Sequence, residues 1–339
     1  MGAAGPETRP AAAREPLASA AMTASYERGL AEVGDGIYAY LQPDGGWGWS
    51  NAGLVSDGEQ TLLIDTLFDL ALTEAMLAEM RRAVPAAARI DTLVNTHANG
   101  DHCYGNQLVA GARIVSSERT AAEMAELPPS AMAALVAQAP NMGQLGEFFL
   151  RCFGSFEFDG IESVLPEETF AGELELRVGG REVRLLEVGP AHTQGDTMAW
   201  LPAERVLFTG DILFNGGHPI AWAGPVSNWL AACERIETLA PESIVPGHGP
   251  LASLADVAEL RAYLEYLYEQ ARAAHADGLT PMQAARRIEL DRWADWGERE
   301  RLVVNIANVY AELDGGEPPN ALEAFQQMAE LALGDAAGG

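Results

Sequence analysis

Two histidines, an aspartate and an asparagine crowd the stretch NTHANGDHCYGN, residues 95–106: His97, Asn99, Asp101 and His102 fall within six positions. Imidazole and carboxylate are the ordinary protein ligands of zinc and similar ions, so the spacing marks a candidate metal site. Three further segments each close a strand-like run with a residue of the same kind: His192 in GPAHTQGD, Asp211 in LFTGD and His248 in VPGHGP. Of the six histidines, only His218 and His275 lie outside this set. Any one of the four alone would read as a surface or hydrogen-bonded core residue. Together, at strand ends and beside Asp101 and Asp211, they read as ligands that converge while a sheet holds them rigid. Gly100, Gly195, Gly210, Gly247 and Gly249 flank them and let the backbone pass close to a crowded centre.

The elements that must carry these residues follow from apolar periodicity. DGIYAYLQ, SNAGLVSDG and QTLLIDT are short β-branched and aromatic runs broken by Gly, Asp and Pro, which predicts a strand meander. Residues 70–84 place Leu70, Leu77 and Met80 on one helical face, and Pro85 ends the helix. RIDTLVNT is then a buried strand running into the ligand cluster. Strand, helix, strand and a polar cluster make the α/β rhythm, with chemistry at a strand's C-terminal end. Residues 113–116 form another strand, and about 117–150 an irregular helical stretch interrupted at Pro128, Pro129 and Pro140, read as a lid or pocket wall. ELELRVGGREVRLLEV is a hairpin turning at Gly179-Gly180. DTMAWLP, RVLFTGD and SIVPG give further strands, with a helix over about 227–239. Two strand-rich halves, each followed by helices, predict an α/β architecture in which sheet packs on sheet with helices on both faces. Beyond residue 251 the pattern is helical, and LTPMQAARRI carries its N-cap at Thr280 with proline in the first turn.

Composition narrows the function. The chain has 339 residues, 48% hydrophobic and 21% charged, which suits a soluble globular protein. Its 49 acidic against 21 basic residues give a formal charge of −28. Such a surface repels phosphate backbones and anionic lipid, so neither nucleic acid nor membrane is an expected partner. Three unpatterned cysteines suit a reducing compartment, and residues 1–25, rich in Ala and Pro, read as a disordered leader without a signal-peptide core. The expected location is cytoplasmic.

The order His-x-Asn-Gly-Asp-His, then AHTQGD, FTGD and PGHG, resembles the metallo-β-lactamase fold superfamily over residues 32–251. The resemblance implies an αββα four-layer sandwich over residues 26–251, with a helical C-terminal extension over 252–339 packed on the core. It implies one or two metal ions at one edge: His97 and His192 in the first site, Asp101, His102 and His248 in the second, Asp211 between them. Asn99 departs from the pattern, which has histidine there. A carboxamide oxygen is a weak ligand for a borderline ion. Asn99 therefore ligates weakly, holds a water by hydrogen bonding, or leaves the first site empty. Five other ligand positions are intact, so the site reads as remodelled and working.

A bound divalent ion brings the pKa of water from about 15.7 to about 7 and polarises a carbonyl. The expected activity is a zinc-dependent hydrolase, using a metal-activated hydroxide on a small acyl substrate: an ester, lactone, thioester or amide. Asp101 would orient or deprotonate the water. Asp65, ending LLIDT, is read as a partner to a ligand histidine or as a strand-end cap. Two alternatives stand. His97, His192 and Asp211 make the two-histidine, one-carboxylate set of non-haem iron enzymes, so an iron oxidoreductase is the second reading. A non-catalytic ligand-binding protein on the same scaffold is the third.

For the substrate pocket the candidates are Trp47 and Trp49 on the glycine-rich turn PDGGWGWSN, and Trp222 in FNGGHPIAWAGPVSNW. Exposed aromatics on such loops grip apolar or ring-bearing ligands, and one of the first pair is expected to pack under the loop. His218, a short loop from Asp211, is the candidate proton donor. Trp229 and Cys103 are expected to pack inward. Trp293 and Trp296 are expected to cap the core, with a homodimer interface as the alternative.

Overall fold

The computed structural model describes residues 26–109, 111–126 and 128–334, and the expected leader lies outside the described residues. The first half runs β1 (Gly29–Gly34), β2 (Ile37–Leu41), β3 (Ala52–Asp57), β4 (Gln60–Ile64), α1 (Leu70–Ala83), β5 (Thr92–Val94), α2 (Gly100–Cys103) and β6 (Arg113–Ser117). Three helices follow, α3 (Glu118–Glu126), α4 (Pro129–Gln138) and α5 (Gly143–Phe153), before β7 (Glu168–Phe170). The second half runs β8 (Glu173–Val178), β9 (Arg181–Glu187), β10 (Thr197–Leu201), β11 (Val206–Phe208), α6 (Val226–Leu239) and β12 (Ser243–Val245). A helical region closes the chain: α7 (Leu254–Ala276), α8 (Pro281–Arg287), α9 (Leu302–Asp314) and α10 (Ala321–Gly334).

Strands β1 to β7 form one sheet in sequence order, and β12-β11-β10-β9-β8 form the second. Alternation within each strand assigns the layers. Val55, Leu62, Ile64 and Val94 meet Val183, Leu185, Leu201 and Phe208 between the sheets. Their neighbours Leu54, Leu63 and Leu93 face outward onto Met76, Leu77 and Met80 of α1. On the other side, Leu186, Met198, Trp200 and Leu207 face Trp229, Cys233 and Ile236 of α6 and Leu260, Tyr263 and Leu264 of α7. The result is an αββα sandwich with a helical C-terminal region. Because the central strands are covered on both faces, they read in sequence as continuous apolar runs rather than alternating ones.

The hairpin turning at Gly179-Gly180 and the helix α1 match the expectations, and Asp69 caps α1 by accepting from the Leu72 N–H. Strands β1 and β7 are additions. GLAEVG carries two glycines and a glutamate, and ETF is three residues long, so neither gave a periodic signal; pairing with β2 and β6 creates them. No helix among the described residues is long and apolar enough to cross a membrane.

The C-terminal region is tied to the loop after β11 through buried side chains. Asn305 of α9 accepts from the Ala221 N–H at 2.8 Å and donates to the Pro219 carbonyl at 2.8 Å, while Asn308 donates to the Ala221 carbonyl at 2.6 Å. Asn305→Ala leaves two buried backbone groups unpaired. It is expected to cost about 1–3 kcal/mol, read as a lower urea midpoint at unchanged slope.

Candidate metal centre

All the candidate ligands sit at one edge of the sandwich, because strand direction puts their loops there. β4 and β5 run parallel and end at Asp65 and at the stretch holding His97 to His102. β11 and β12 run parallel and end before Asp211 and His248. β10 is antiparallel to both β9 and β11, which brings the turn carrying His192 to the same edge. The loop between β2 and β3 arrives there too. Asn51 fastens it by donating to the Pro246 and Gly249 carbonyls at 3.0 and 2.8 Å.

Asp211 is the hub. One carboxylate oxygen lies 3.3 Å from His192 Nε2, 3.4 Å from His248 Nε2 and 3.8 Å from His97 Nε2, and the other lies 3.1 Å from His102 Nε2. Asp101 adds an oxygen 3.3 Å from His248 Nε2 and 3.9 Å from His102 Nε2. Each imidazole has its other nitrogen committed outward. His102 Nδ1 donates to Asp65 at 2.9 Å, His192 Nδ1 to the Ile220 carbonyl at 2.6 Å, and His248 Nδ1 to the Gly45 carbonyl at 3.1 Å. His97 Nδ1 lies 3.0 Å from the Thr96 hydroxyl, whose own proton goes to Asp65 at 2.7 Å. With each Nδ1–H so placed, the neutral rings turn four Nε2 lone pairs toward two carboxylates.

With all four rings neutral, that inward set would consist of acceptors only. His97 Nε2, His102 Nε2 and Asp211 Oδ1 are buried without a hydrogen-bond partner. His102 Nε2 and Asp211 Oδ1 are close, yet their geometry is not that of a hydrogen bond. Buried polar atoms are ordinarily satisfied, and a cation is what facing lone pairs accommodate. The residues present fit a divalent ion with nitrogen and oxygen ligands. Outward hydrogen bonds of this kind set ring orientation and tautomer at metal sites.

Two compact groups stand out: His97 with His102 and Asp211, and Asp101 with His102 and His248. The second is the expected second-site set. The first takes in His102 where the resemblance implies His192. Asn99 Oδ1 reaches His192 Nε2 at 2.6 Å. Asn99 caps α2 in position, but its side chain makes no cap bond; it is turned into the site instead.

Protonation in the metal-free protein follows the same charges. Burial lowers the His192 pKa to about 4, and His97 is also driven well below the usual imidazole range. His248 is buried too, but Asp211 and Asp101 hold it up at about 9, and His102 is raised well above normal by Asp211, Asp101 and Asp65 against the effect of burial. Two imidazolium ions thus offset three buried carboxylates.

Asp65 bonds the candidate ligand His102 and the Thr96 N–H and hydroxyl, doing so from a left-handed backbone, φ 62°, which aspartate tolerates better than most residues. His218 departs from the expected proton donor. It is fully buried, bonds the Tyr263 hydroxyl at 3.0 Å and packs on Trp296. Burial, with the charges of Arg301 and Arg299, pushes its pKa down to about 3. A neutral, enclosed imidazole has no proton to deliver to a substrate. Trp49 also departs from the pocket, packing on Phe156 at 4.9 Å beneath Arg28. Trp47 and Trp222 do meet, at 6.3 Å, on the loops beside the ligands. Cys103 is buried against the Ala98 and Asn99 carbonyls. Missing from the sequence reading was Asp196, which accepts from the Thr193 N–H and hydroxyl and from the Ala191 N–H, so bracing the His192 turn. Its place in GPAHTQGD was the available signal.

A profile of the metallo-beta-lactamase superfamily matches residues 45–248. The chain belongs to that superfamily. Among its relatives, a beta-lactamase-like protein 2 homolog of Caenorhabditis elegans is 24% identical over 48% of this chain and 55% of its own length. A hydroxyacylglutathione hydrolase of Methylococcus capsulatus is 25% identical over 60% and 59%. The sec-alkylsulfatase Pisa1 from Pseudomonas sp. shares the fold, with a TM-score of 0.62 and 18% identity over 84% of this chain and 50% of that one. The chain thus spans about half to three fifths of the length of these proteins.

One substitution tests the centre and a second tests the protonation of a neighbouring carboxyl. A Cβ at Gly247 would stand 1.9 Å from Asp211 Oδ1 and 2.7 Å from the Gly210 backbone, so Gly247→Ala is expected to displace the hub. Metal content after dialysis should fall at least about tenfold while far-ultraviolet circular dichroism is preserved. Against the turn that carries His192, burial raises the Glu123 carboxyl to about 7, and its Oε2 accepts the Gln194 N–H. A carboxyl raised in the folded state favours folding at low pH and loses that contribution as pH climbs from its ordinary value of 4.5 to about 7. Glu123→Gln should therefore gain in Tm relative to the parent over that window, measured by scanning fluorimetry.

Proposed function

We propose that the protein is a zinc-dependent hydrolase of small acyl compounds: esters, thioesters, lactones or amides. One observation carries the reading: four imidazole Nε2 atoms and the Asp211 and Asp101 carboxylates converge on one point, with His97 Nε2, His102 Nε2 and Asp211 Oδ1 buried and without a hydrogen-bond partner. Membership of a superfamily with hydrolytic members, and similarity to a hydroxyacylglutathione hydrolase, support it.

His97, His192 and Asp211, with Asn99 beside them, would hold a first ion, and Asp101, His102 and His248 a second, Asp211 serving both. A divalent ion supplies a lowered water pKa and a Lewis acid for the acyl oxygen. The chain's own residues do the rest. Asp101, its side chain 13% exposed against 5% or less for the imidazoles and Asp211, is the carboxylate that incoming water meets. It accepts the proton as water adds to the acyl carbon and returns it to the departing alcohol or thiol. Asp65 holds His102 in its tautomer, and the Ile220 carbonyl does so for His192. Asn99, next to His192, orients the attacking water from the far side, and a carboxamide there favours tight binding at the second site over the first.

Elemental analysis of protein purified without chelators, combined with p-nitrophenyl ester turnover, tests this. The expected outcome is zinc near one equivalent, turnover lost on chelation and restored by zinc, and a gain toward two equivalents in Asn99→His. Asp101→Asn should lower kcat by about 100-fold or more. Iron as the bound metal with no ester turnover sinks the reading in favour of an oxidoreductase, and absence of any metal favours a binding protein.

A further inference from the structure

A cavity of about 160 Å³ reaches His248 from the surface. That volume is well above the ~10–15 Å³ that a single water needs. Its buried wall is His248 with Phe214, their rings stacked at 5.1 Å and 5°. Much of the rest is glycine backbone, and two carboxylates, Asp44 and Glu298, complete it; no lysine or arginine lines it.

Main-chain bonds hold these walls to the candidate ligand. His248 Nδ1 donates to the Gly45 carbonyl at 3.1 Å, next to Asp44. The Asn215 N–H donates to the His248 carbonyl at 2.9 Å, and the His218 N–H to the Gly297 carbonyl at 3.0 Å, next to Glu298. Glycine gives the carboxylates their room. A Cβ at Gly46 would stand 2.8 Å from Glu298 Oε1 and 3.1 Å from Asp44 Oδ1, and one at Gly217 would stand 3.2 Å from Glu298 Oε2. Both carboxylates thus approach one spot in the cavity wall.

Neither has a counter-charge. The Asp44 side chain accepts the Gly46 N–H at 3.0 Å, and the half-buried Glu298 side chain makes no hydrogen bond or ion pair among the described residues. Arg301, 5.3 Å from the Phe214 ring, is engaged with the Trp47 face and the His218 carbonyl and does not line the cavity. Nor do Asp44 and Glu298 belong to either group of side chains able to hold a metal ion among the described residues. Two carboxylates and an aromatic ring around an open space accommodate an organic cation, through charge and through the ring face.

We infer that this cavity receives the part of the substrate that does not react, and that Glu298, with Asp44, selects an alkylammonium group there. An anionic group would face both carboxylates and be turned away. The formal charge of −28 works in the same direction, drawing cations toward the surface. Both carboxylates lie outside residues 45–248, the stretch matched by the superfamily, so the preference belongs to this chain rather than to the shared metal edge. The inference deepens the hydrolase reading and rests on it for the bond that is cut.

The test uses full-length, zinc-loaded protein and two esters of one shape, acetylcholine and 3,3-dimethylbutyl acetate, which differ by a charged nitrogen in place of carbon. With acetate release followed by pH-stat, the parent is expected to favour acetylcholine in kcat/KM by about tenfold. Glu298→Gln should bring that ratio close to one, Glu298→Lys should invert it, and Asp44→Asn should lower it. A parent ratio at or below one overturns the inference. So does an equal change on both esters in the Glu298 variants, since loss of packing alone has no charge preference. A second readout needs no turnover: calorimetric titration with choline and with neutral 3,3-dimethylbutan-1-ol. Choline should bind the parent more tightly than the alcohol does, with its Kd weakened about tenfold in Glu298→Gln. Equal affinity for the two, or a choline Kd unmoved by Glu298→Gln, overturns the assignment. If the parent cleaves neither ester, the hydrolase reading fails and the choline titration alone decides what the cavity takes.

Discussion

The structure is organised around a mutual dependence of lone pairs. Asp211 stands within 3.8 Å of four imidazole nitrogens, and Asp211 and the four rings are buried. Burying two carboxylates and four acceptor nitrogens together is costly unless positive charge lies among them. Either protons on His102 and His248 or a metal ion must supply it. Every neighbouring contact is arranged to keep the nitrogens facing inward, and that arrangement is expensive to maintain for anything but a cation.

From this constraint the scaffold follows. Six loops arrive at one edge, so the strands bearing them need the direction and register they have, with parallel pairs β4–β5 and β11–β12, an antiparallel turn through His192 and the loop between β2 and β3. The close approach of backbone explains Gly247, where any side chain would collide with Asp211. It also explains why the outward partners are so often main-chain carbonyls, from Gly45 and Ile220. A carbonyl at the end of a loop fixes a ring without adding another buried charge.

The helical C-terminal region plays a second part. Asn305 and Asn308 satisfy the main chain of the loop after β11, Arg301 bonds the His218 carbonyl at 2.8 Å, and Glu300 bonds Trp47. The loops beside the ligands are thus held from outside the sandwich as well as from within it. Here His218 finds its use as a core residue, packed with Tyr263 and Trp296. Its nearness to Asp211 in sequence suggested chemistry, but the chain turns the ring away from the centre and into that aromatic packing.

The amino-acid sequence alone determined the layered α/β class and the set of candidate ligand types, because strand apolarity, the Gly179-Gly180 turn and the His-x-Asn-Gly-Asp-His spacing are local properties. It also marked Asn99 as a departure. What it left open rests on contacts between residues far apart in the chain. The Gly45 carbonyl meets a histidine 203 positions away, and Trp47 meets Glu300 across 253. No periodicity encodes such pairings. Whether a tryptophan packs on Phe153 and Phe325, as Trp47 does, or on Phe156, as Trp49 does, is likewise a matter of where α5 and α10 come to rest. Only the closed tertiary structure decides it, since each ring's surroundings are assembled from segments that meet nowhere but in the fold.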